Sequence, residues 1–332
     1  MKKINNNHLR LSIGMPVFNG ARYLREALDS ILCQTFKDFE LIISDNASTD
    51  RTKQISLEYA MKDNRIRYHR NKKNIGAAKN YNHVFKLSSG KYFKWAAHDD
   101  VLAPEYLQEC VSTLDKDLSI IMCHSRAGCI DKNGVLIGNY DDKTQWRISS
   151  WKPHERFADM LSPRNTCWAI HAVVRASSLA RTPLHGDYID ADRNLLAEIA
   201  LMGRIHEIPR HLFLRRDHPQ AYTRTYYSTA GVRDYRNQLV WWTGEKKSRL
   251  IVLPHWKNCL EYLKSVNRVN LKYSERLLCY REIYRWLLKE KGLEKIKWDL
   301  INEFQVWRIQ LNNFQTNTPN VRIKTVRSIL SS

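Results

Sequence analysis

The sequence predicts an α/β domain built on a mostly parallel sheet, followed by a helical C-terminal extension. Short apolar runs alternate with amphipathic helical stretches from residue 11 to residue 125, a pattern that makes βαβ units with right-handed crossovers. Three of the apolar runs end in polar clusters, at PVFN, SDNAST and HDD. Ligands of such sheets bind beyond the carboxyl ends of the strands. The composition changes near residue 230. Beyond it stand 20 Lys or Arg against 9 Asp or Glu, net +11 in 102 residues, with six of the ten tryptophans. The expected division is therefore residues 1–230 and 231–332.

LSIGMPV (11–17) reads as the first strand. In ARYLREALDSILCQ, residues Leu24, Ala27, Leu28, Ile31 and Leu32 share one helical face. FELIIS is the second strand, and DNAST leads into a helix over DRTKQISLEYAMK, capped by Ser48 or Thr49. RIRYHR is a third strand, and GAAKNYNHVFKLSSG a helix that Gly90 ends. KYFKWAA is a fourth strand, running into His98, Asp99 and Asp100. PEYLQECVSTL is a helix with Pro104 in its first turn, and SIIMCHS a fifth strand. Later, Leu195, Leu196, Ile199 and Met202 form the buried stripe of a helix ended by Gly203, and LFLRRDHPQ closes a short strand. In the extension, Leu277, Tyr280, Tyr284, Leu287 and Leu288 recur at helical spacing.

A hydrophobic content of 43% over 332 residues is enough for a packed core and excludes disorder throughout. The net charge of +20 suits polyanionic partners: nucleic acid, anionic lipid or phosphorylated substrates. Seven cysteines without CxxC spacing indicate reduced thiols in a cytosolic protein, not a disulfide framework or zinc site. LSIGMPVF is too short for a signal-peptide core, and no apolar run reaches the ~18 residues of a membrane span. GxGxxG, GxxxxGK[ST], GxSxG and HExxH motifs are absent.

Asp99 and Asp100 follow a buried strand directly. Neighbouring carboxylates repel unless a cation joins them, and Mg²⁺ or Mn²⁺ binds through one or two carboxylates plus phosphate oxygens. Taken alone, an Asp-rich turn explains the pair equally well. Asp45 reads as the start of an Asx-turn or as a carboxylate that bonds a nucleobase. Asp190 or Asp192 begins the Leu195 helix, as an N-cap or as a general base. Arg215, Arg216 and His218 read as solvated loop residues or as phosphate contacts.

In order along the chain, these segments resemble family 2 glycosyltransferases of the GT-A fold, from about Leu11 to about Gln220. SIGMPVFNGARYLREALDSILCQTFKDFELIISDNASTD is similar to the family's opening strand, helix and nucleotide turn. NIGAAKNYN resembles its Asn-x-Gly signature, HDDVLAPEYL its DXD-type metal segment, DADRNLLAEIALMGRIHEI its Glu-Asp segment and RRDHPQ its Arg-x-His segment. The resemblance implies a mixed sheet flanked by helices. Pro16 and Phe18 would line the base or ribose, Asp45 would bond the base, and Asn82 would support the phosphates. Asp99, with Asp100, would hold Mg²⁺ or Mn²⁺, His218 would face the nucleotide-sugar, and Asp192 would be the base. Two departures stand out: Ala97 replaces the first acid of the DXD segment, and Ala191-Asp192 replaces Glu-Asp, which keeps Asp190 in contention.

The implied function is inverting sugar transfer from a nucleotide-sugar, UDP-linked by the resemblance, to an acceptor hydroxyl in polysaccharide or glycoconjugate synthesis. The expected partners are that donor, a carbohydrate or lipid-linked acceptor and an anionic membrane surface met by the extension. The expected location is cytoplasmic, peripheral on the inner face of the membrane. Core packing of the extension's tryptophans is the alternative to membrane contact. Two other readings compete: a GT-A scaffold that binds nucleotide without turnover, suggested by Ala97, and a basic nucleic-acid-binding protein. No specific nucleic-acid motif supports the latter.

Overall fold

The computed structural model describes residues 9–140, 146–162, 167–221, 235–245, 252–289 and 292–316. The expected boundary between residues 230 and 231 lies outside the described residues, as does the side chain of Trp307. In chain order the first elements are β1 (Leu11–Val17), α1 (Leu24–Leu32), β2 (Phe39–Asp45), α2 (Thr52–Lys62), β3 (Ile66–Arg70), α3 (Ala77–Lys86) and β4 (Tyr92–Trp95). There follow β5 (Val101–Leu102), α4 (Tyr106–Lys116), β6 (Ile120–Ile130), β7 (Leu136–Asn139) and α5 (Pro153–Leu161). After a 3₁₀ turn come β8 (Val173–Arg175), α6 (Ala176–Leu179), α7 (Ala191–Met202) and β9 (Arg204–Arg216). The extension supplies α8 (Tyr235–Thr243), α9 (Pro254–Arg268), α10 (Tyr273–Lys289) and α11 (Gly292–Thr316).

The sheet runs β3-β2-β1-β4-β8-β6-β9-β5, with β7 added on β6. β3, β2, β1 and β4 are parallel. β8 is antiparallel to both β4 and β6, and β5 is antiparallel to β9. The sheet is therefore mixed, and the fully parallel half is the half whose apolar runs the sequence displays. Every residue of β1 and β2 is buried, because helices cover both faces of a parallel sheet. β9 is far longer than LFLRR suggests. Its register with β6 slips between Ser125 and Arg126, opposite Pro209, and a proline that cannot donate to a ladder belongs at such a bulge.

Two local expectations change. Neither Ser48 nor Thr49 caps α2; Asp50 accepts the Thr52 N–H at 3.0 Å, while Ser48 and Thr49 bond Asn19 instead. Gly90 does not end α3, which stops at Lys86. A Cβ on Gly90 would lie 2.6 Å from the Ser12 nitrogen, so this glycine lets the chain pass close to β1.

One face of the sheet packs α1 and α4 through Leu28, Ile31, Leu107 and Val111. The other joins Val84, Phe93, Trp95 and Leu196 to Tyr262, Val266, Ile283 and Trp286 of the extension in one continuous core. Gly76 and Gly244 fix a second contact: with φ of +85° and +72°, their backbones meet where a Cβ on Gly76 would stand 2.2 Å from Thr243 carbon.

Candidate active site

The carboxyl ends of β1 and β2 build the first part of the site. Asp45 ends β2 and is wholly buried. Its Oδ1 accepts the Ser48 N–H at 2.7 Å, and its Oδ2 accepts the Tyr68 hydroxyl at 2.7 Å and pairs with the Arg70 guanidinium. Arg70 in turn donates to the Ser48 carbonyl at 2.8 Å. Asp45 is thus the turn former of the Asx reading, and it also fixes a cation beside the turn. The N–H groups of Asn19 and Gly20 bond Ser48 Oγ and Thr52 Oγ1, each at 2.9 Å, tying the end of β1 to the same turn. Pro16 is buried, whereas Phe18 is 39% exposed at the sheet edge. Asn19 and Ala47 both take left-handed backbone, a strain that collects at ligand-binding turns.

Asn82 faces another way. Its Nδ2 donates to the His185 carbonyl at 2.8 Å and its Oδ1 accepts the His185 N–H at 3.0 Å. It ties α3 to the segment ahead of α7. The asparagine turned towards the nucleotide turn is Asn80, which bonds the Ser44 hydroxyl and carbonyl at 2.6 and 2.9 Å and Asn71 at 3.0 Å. Asn46 and Asn74 extend this network at 2.9 Å. The density of asparagines in DNAS and NKKNIGAAKNYN was the available signal. Tyr81, between Asn80 and Asn82, packs its ring among Trp95, His185 and Trp242. Burial and then the carboxyls of Asp99, Asp100 and Asp192 push its hydroxyl pKa up, so Tyr81 shares the electrostatic environment of all three acids.

Asp99 and Asp100 point to different tasks. Asp99 Oδ2 lies 3.0 Å from Nε2 of His218. Burial opposes ionisation of Asp99, but the charge of His98 and the bond to His218 outweigh it and hold the carboxyl below its ordinary range. The same bond raises the His218 pKa. Asp100 accepts the Arg216 N–H at 2.9 Å and lines a small apolar cavity with Ile31, Leu102, Phe213 and the buried Lys94. Burial, and then the charge of Asp99, push its pKa up. Arg216 is itself buried. It donates to the carbonyls of Asp99 and Asp131 at 2.8 and 3.2 Å and meets Glu26 at 2.6 Å, so it holds the loop in place. Arg215 reaches the Tyr140 hydroxyl at 3.3 Å.

Asp192 stands in the first turn of α7, half-buried, and its Oδ1 accepts the Arg193 N–H at 2.9 Å. Asp190 precedes the helix with φ of +61° and makes no side-chain cap. Burial, and then the charge of Asp190, raise the Asp192 pKa to about 6. A carboxyl poised there is ionised at neutral pH and basic enough to take a proton.

Among the described residues, no three His, Cys, Asp or Glu side chains gather into a metal-binding group. Mg²⁺ and Mn²⁺ seldom use an all-protein cage; they keep waters and substrate phosphates. The carboxylate of Asp99 beside the His218 imidazole is a donor set that fits such an ion.

The comparisons with known proteins follow this geometry. The Glycosyl transferase family 2 model matches residues 12–179. The chain belongs to family 2. A glycosyltransferase of Rickettsia bellii is 37% identical over 138 residues, 41% of this chain but 19% of that protein. The chain thus spans about a fifth of that relative's length. Among solved structures, Staphylococcus aureus TarS 1-349 in complex with UDP matches with a TM-score of 0.58 at 16% identity, covering 83% of this chain and 71% of that one. The Pyrobaculum calidifontis mannosyltransferase PcManGT, in complex with GDP-Man and Mn²⁺, matches with a TM-score of 0.50 at 16% identity, covering 88% and 74%. These likenesses establish the fold, the GT-A type expected for family 2, with helices at its C-terminal end.

Proposed function

We propose that the chain is an inverting glycosyltransferase, moving a sugar from a nucleoside diphosphate, UDP by preference, to an acceptor hydroxyl. The observation that carries this reading is the Asp99–His218 pair at the sheet edge of a family 2 fold. The nucleotide turn is built beside it, and Asp192 acts with Asp99 on the same tyrosine. The UDP bound to TarS supports the choice of base. Phe18 offers its exposed ring to the base, and Asp45 acts by holding its turn and Arg70 in place.

Asp99 and His218 would hold Mg²⁺ or Mn²⁺, a choice supported by the Mn²⁺ of PcManGT. Such an ion neutralises negative charge on the leaving diphosphate. Asp100 braces the loop from behind. Asp192 takes the proton of the acceptor hydroxyl as that oxygen attacks the anomeric carbon, and the carbon–oxygen bond to the diphosphate breaks on the opposite face. The acceptor is a carbohydrate or lipid-linked glycan of polysaccharide or glycoconjugate synthesis. The enzyme works in the cytoplasm at the inner face of the membrane.

A panel of nucleotide-sugars tested for nucleotide release, with and without Mn²⁺, decides the matter. Release from one UDP-sugar, stimulated by Mn²⁺ and accelerated by acceptor, is the expected result. Tight UDP binding without release from any donor would instead indicate the silent scaffold that Ala97 suggests.

A further inference from the structure

α11 is built inside out. On its inner side Asp299 is fully buried, and Asn302 and Glu303 nearly so. Asp299 pairs with Nδ1 of His255 at 2.7 Å and accepts the His255 backbone N–H at 2.8 Å, while Glu303 meets Arg236 at 2.6 Å. On its outer side Leu293 is 52% exposed and Leu300 58%, with Ile301 exposed beside them, and Trp298 is exposed on a flank. At about 100° per residue, Leu293, Leu300 and Ile301 fall on the side of the helix away from Asp299, Asn302 and Glu303, with Lys297 among them, while Trp298 stands on the flank next to Asn302.

α10, packed against it, also turns apolar residues outward. Cys279, Ile283 and Trp286 enter the core. Tyr273, Leu277, Tyr284 and Leu288 stand exposed, along a stripe only about 60° wide. A water-facing apolar surface of this extent marks something that covers it.

Charge selects what covers it. Exposed Lys297 lies on α11, and exposed Arg281 and Arg285 on α10 share the single carboxylate of Glu282. With +20 on the chain and +11 on the extension, a second copy would bring like charge to the same face, whereas an anionic surface is attracted to it. Trp and Tyr beside Lys and Arg are the side chains that settle at lipid headgroups. We propose that the outward faces of α10 and α11 dock the chain on an anionic membrane surface, with Leu293, Leu300, Tyr284 and Leu288 at the headgroup level. This rests on the membrane-side location within the proposed function, and not on the chemistry of transfer.

The full chain is sedimented at low salt with vesicles of phosphatidylglycerol and phosphatidylcholine, or of phosphatidylcholine alone. It should pellet with the first and not the second. A Leu293→Ser/Leu300→Ser pair should partition about tenfold less, and so should Tyr284→Ser/Leu288→Ser, with circular dichroism unchanged. UDP binding by the same proteins reports separately on the nucleotide site and should not change. A parent chain that ignores anionic vesicles overturns the proposal, as does equal pelleting by parent and both variants. A stable dimer in sedimentation velocity that these variants split into monomers also overturns it, in favour of a second copy.

Discussion

Nε2 of His218 stands 3.0 Å from Oδ2 of Asp99, although 119 residues separate the two in sequence. β9 brings this about: Arg216, at its end, donates its N–H to Asp100 and its Nε–H to the Asp99 carbonyl, so the loop after β9 is locked onto the loop before β5. The acid and the imidazole are therefore presented as one unit.

Replacing either member of that unit should cost metal-dependent turnover. Asp99→Ala is expected to abolish Mn²⁺-stimulated nucleotide release, and His218→Ala to weaken it. Calorimetry with UDP and Mn²⁺ separates binding from chemistry. If Asp99→Ala binds the pair as tightly as the parent, the metal does not sit on Asp99.

Asp192 predicts a pH limb. Its carboxyl pKa is raised to about 6, by burial and then by Asp190. The base form is the ionised one, so the transfer rate should fall as pH drops through about 6, well above the ordinary aspartate value of about 3.9. Asp190→Asn removes the charge that helps to raise it and should move the limb to lower pH with most activity kept. Asp192→Asn should lose about 10²–10⁴-fold in rate at unchanged nucleotide affinity. A rate profile that follows Asp190 instead would transfer the role of base to it.

Asp45→Ala should act on the fold of the turn and on nucleotide affinity together. It leaves the Ser48 N–H and the Tyr68 hydroxyl without their acceptor, a loss of about 1–3 kcal/mol in stability for a buried group. Tyr68→Phe removes one donor and leaves the Arg70 pair, so it should do less on both counts. Chemical denaturation and UDP calorimetry on the two variants provide the comparison.

Gly244→Ala tests the seat of α8. Its φ of +72° and the 2.6 Å approach of a Cβ to the Gly76 nitrogen leave no room for a methyl group. The left-handed backbone alone costs about 1–2 kcal/mol for a non-glycine residue. A lowered melting temperature is expected, with Trp242 fluorescence shifted as its bond to the Gly186 carbonyl, 2.8 Å long, is lost. An unchanged melting temperature would show that α8 contributes nothing there.

What the sequence determined by itself was whatever local pattern controls. The parallel half of the sheet was legible because β1, β2 and β4 are mostly apolar, and because an acid ends β2 and two acids stand just beyond β4. The family pattern placed Asp45, Asp99, Asp192 and His218 on segments that the fold brings to one end of the sheet. Side-chain direction was not legible. Asn82 and Asn80 are two residues apart on α3, yet one holds His185 and the other the Ser44 strand end. Adjacent Asp99 and Asp100 part company because Arg216, from β9, claims Asp100 with its backbone. The reversed strands β5, β7 and β8 are too short to show a period. In the extension, composition gave the charge and the aromatics, but only packing against α5 and α9 sends Trp286 inward, and only packing turns the apolar side of α11 outward. Periodicity names a helix's two faces; the ion pairs of Asp299 and Glu303 with His255 and Arg236 decide which one is inside.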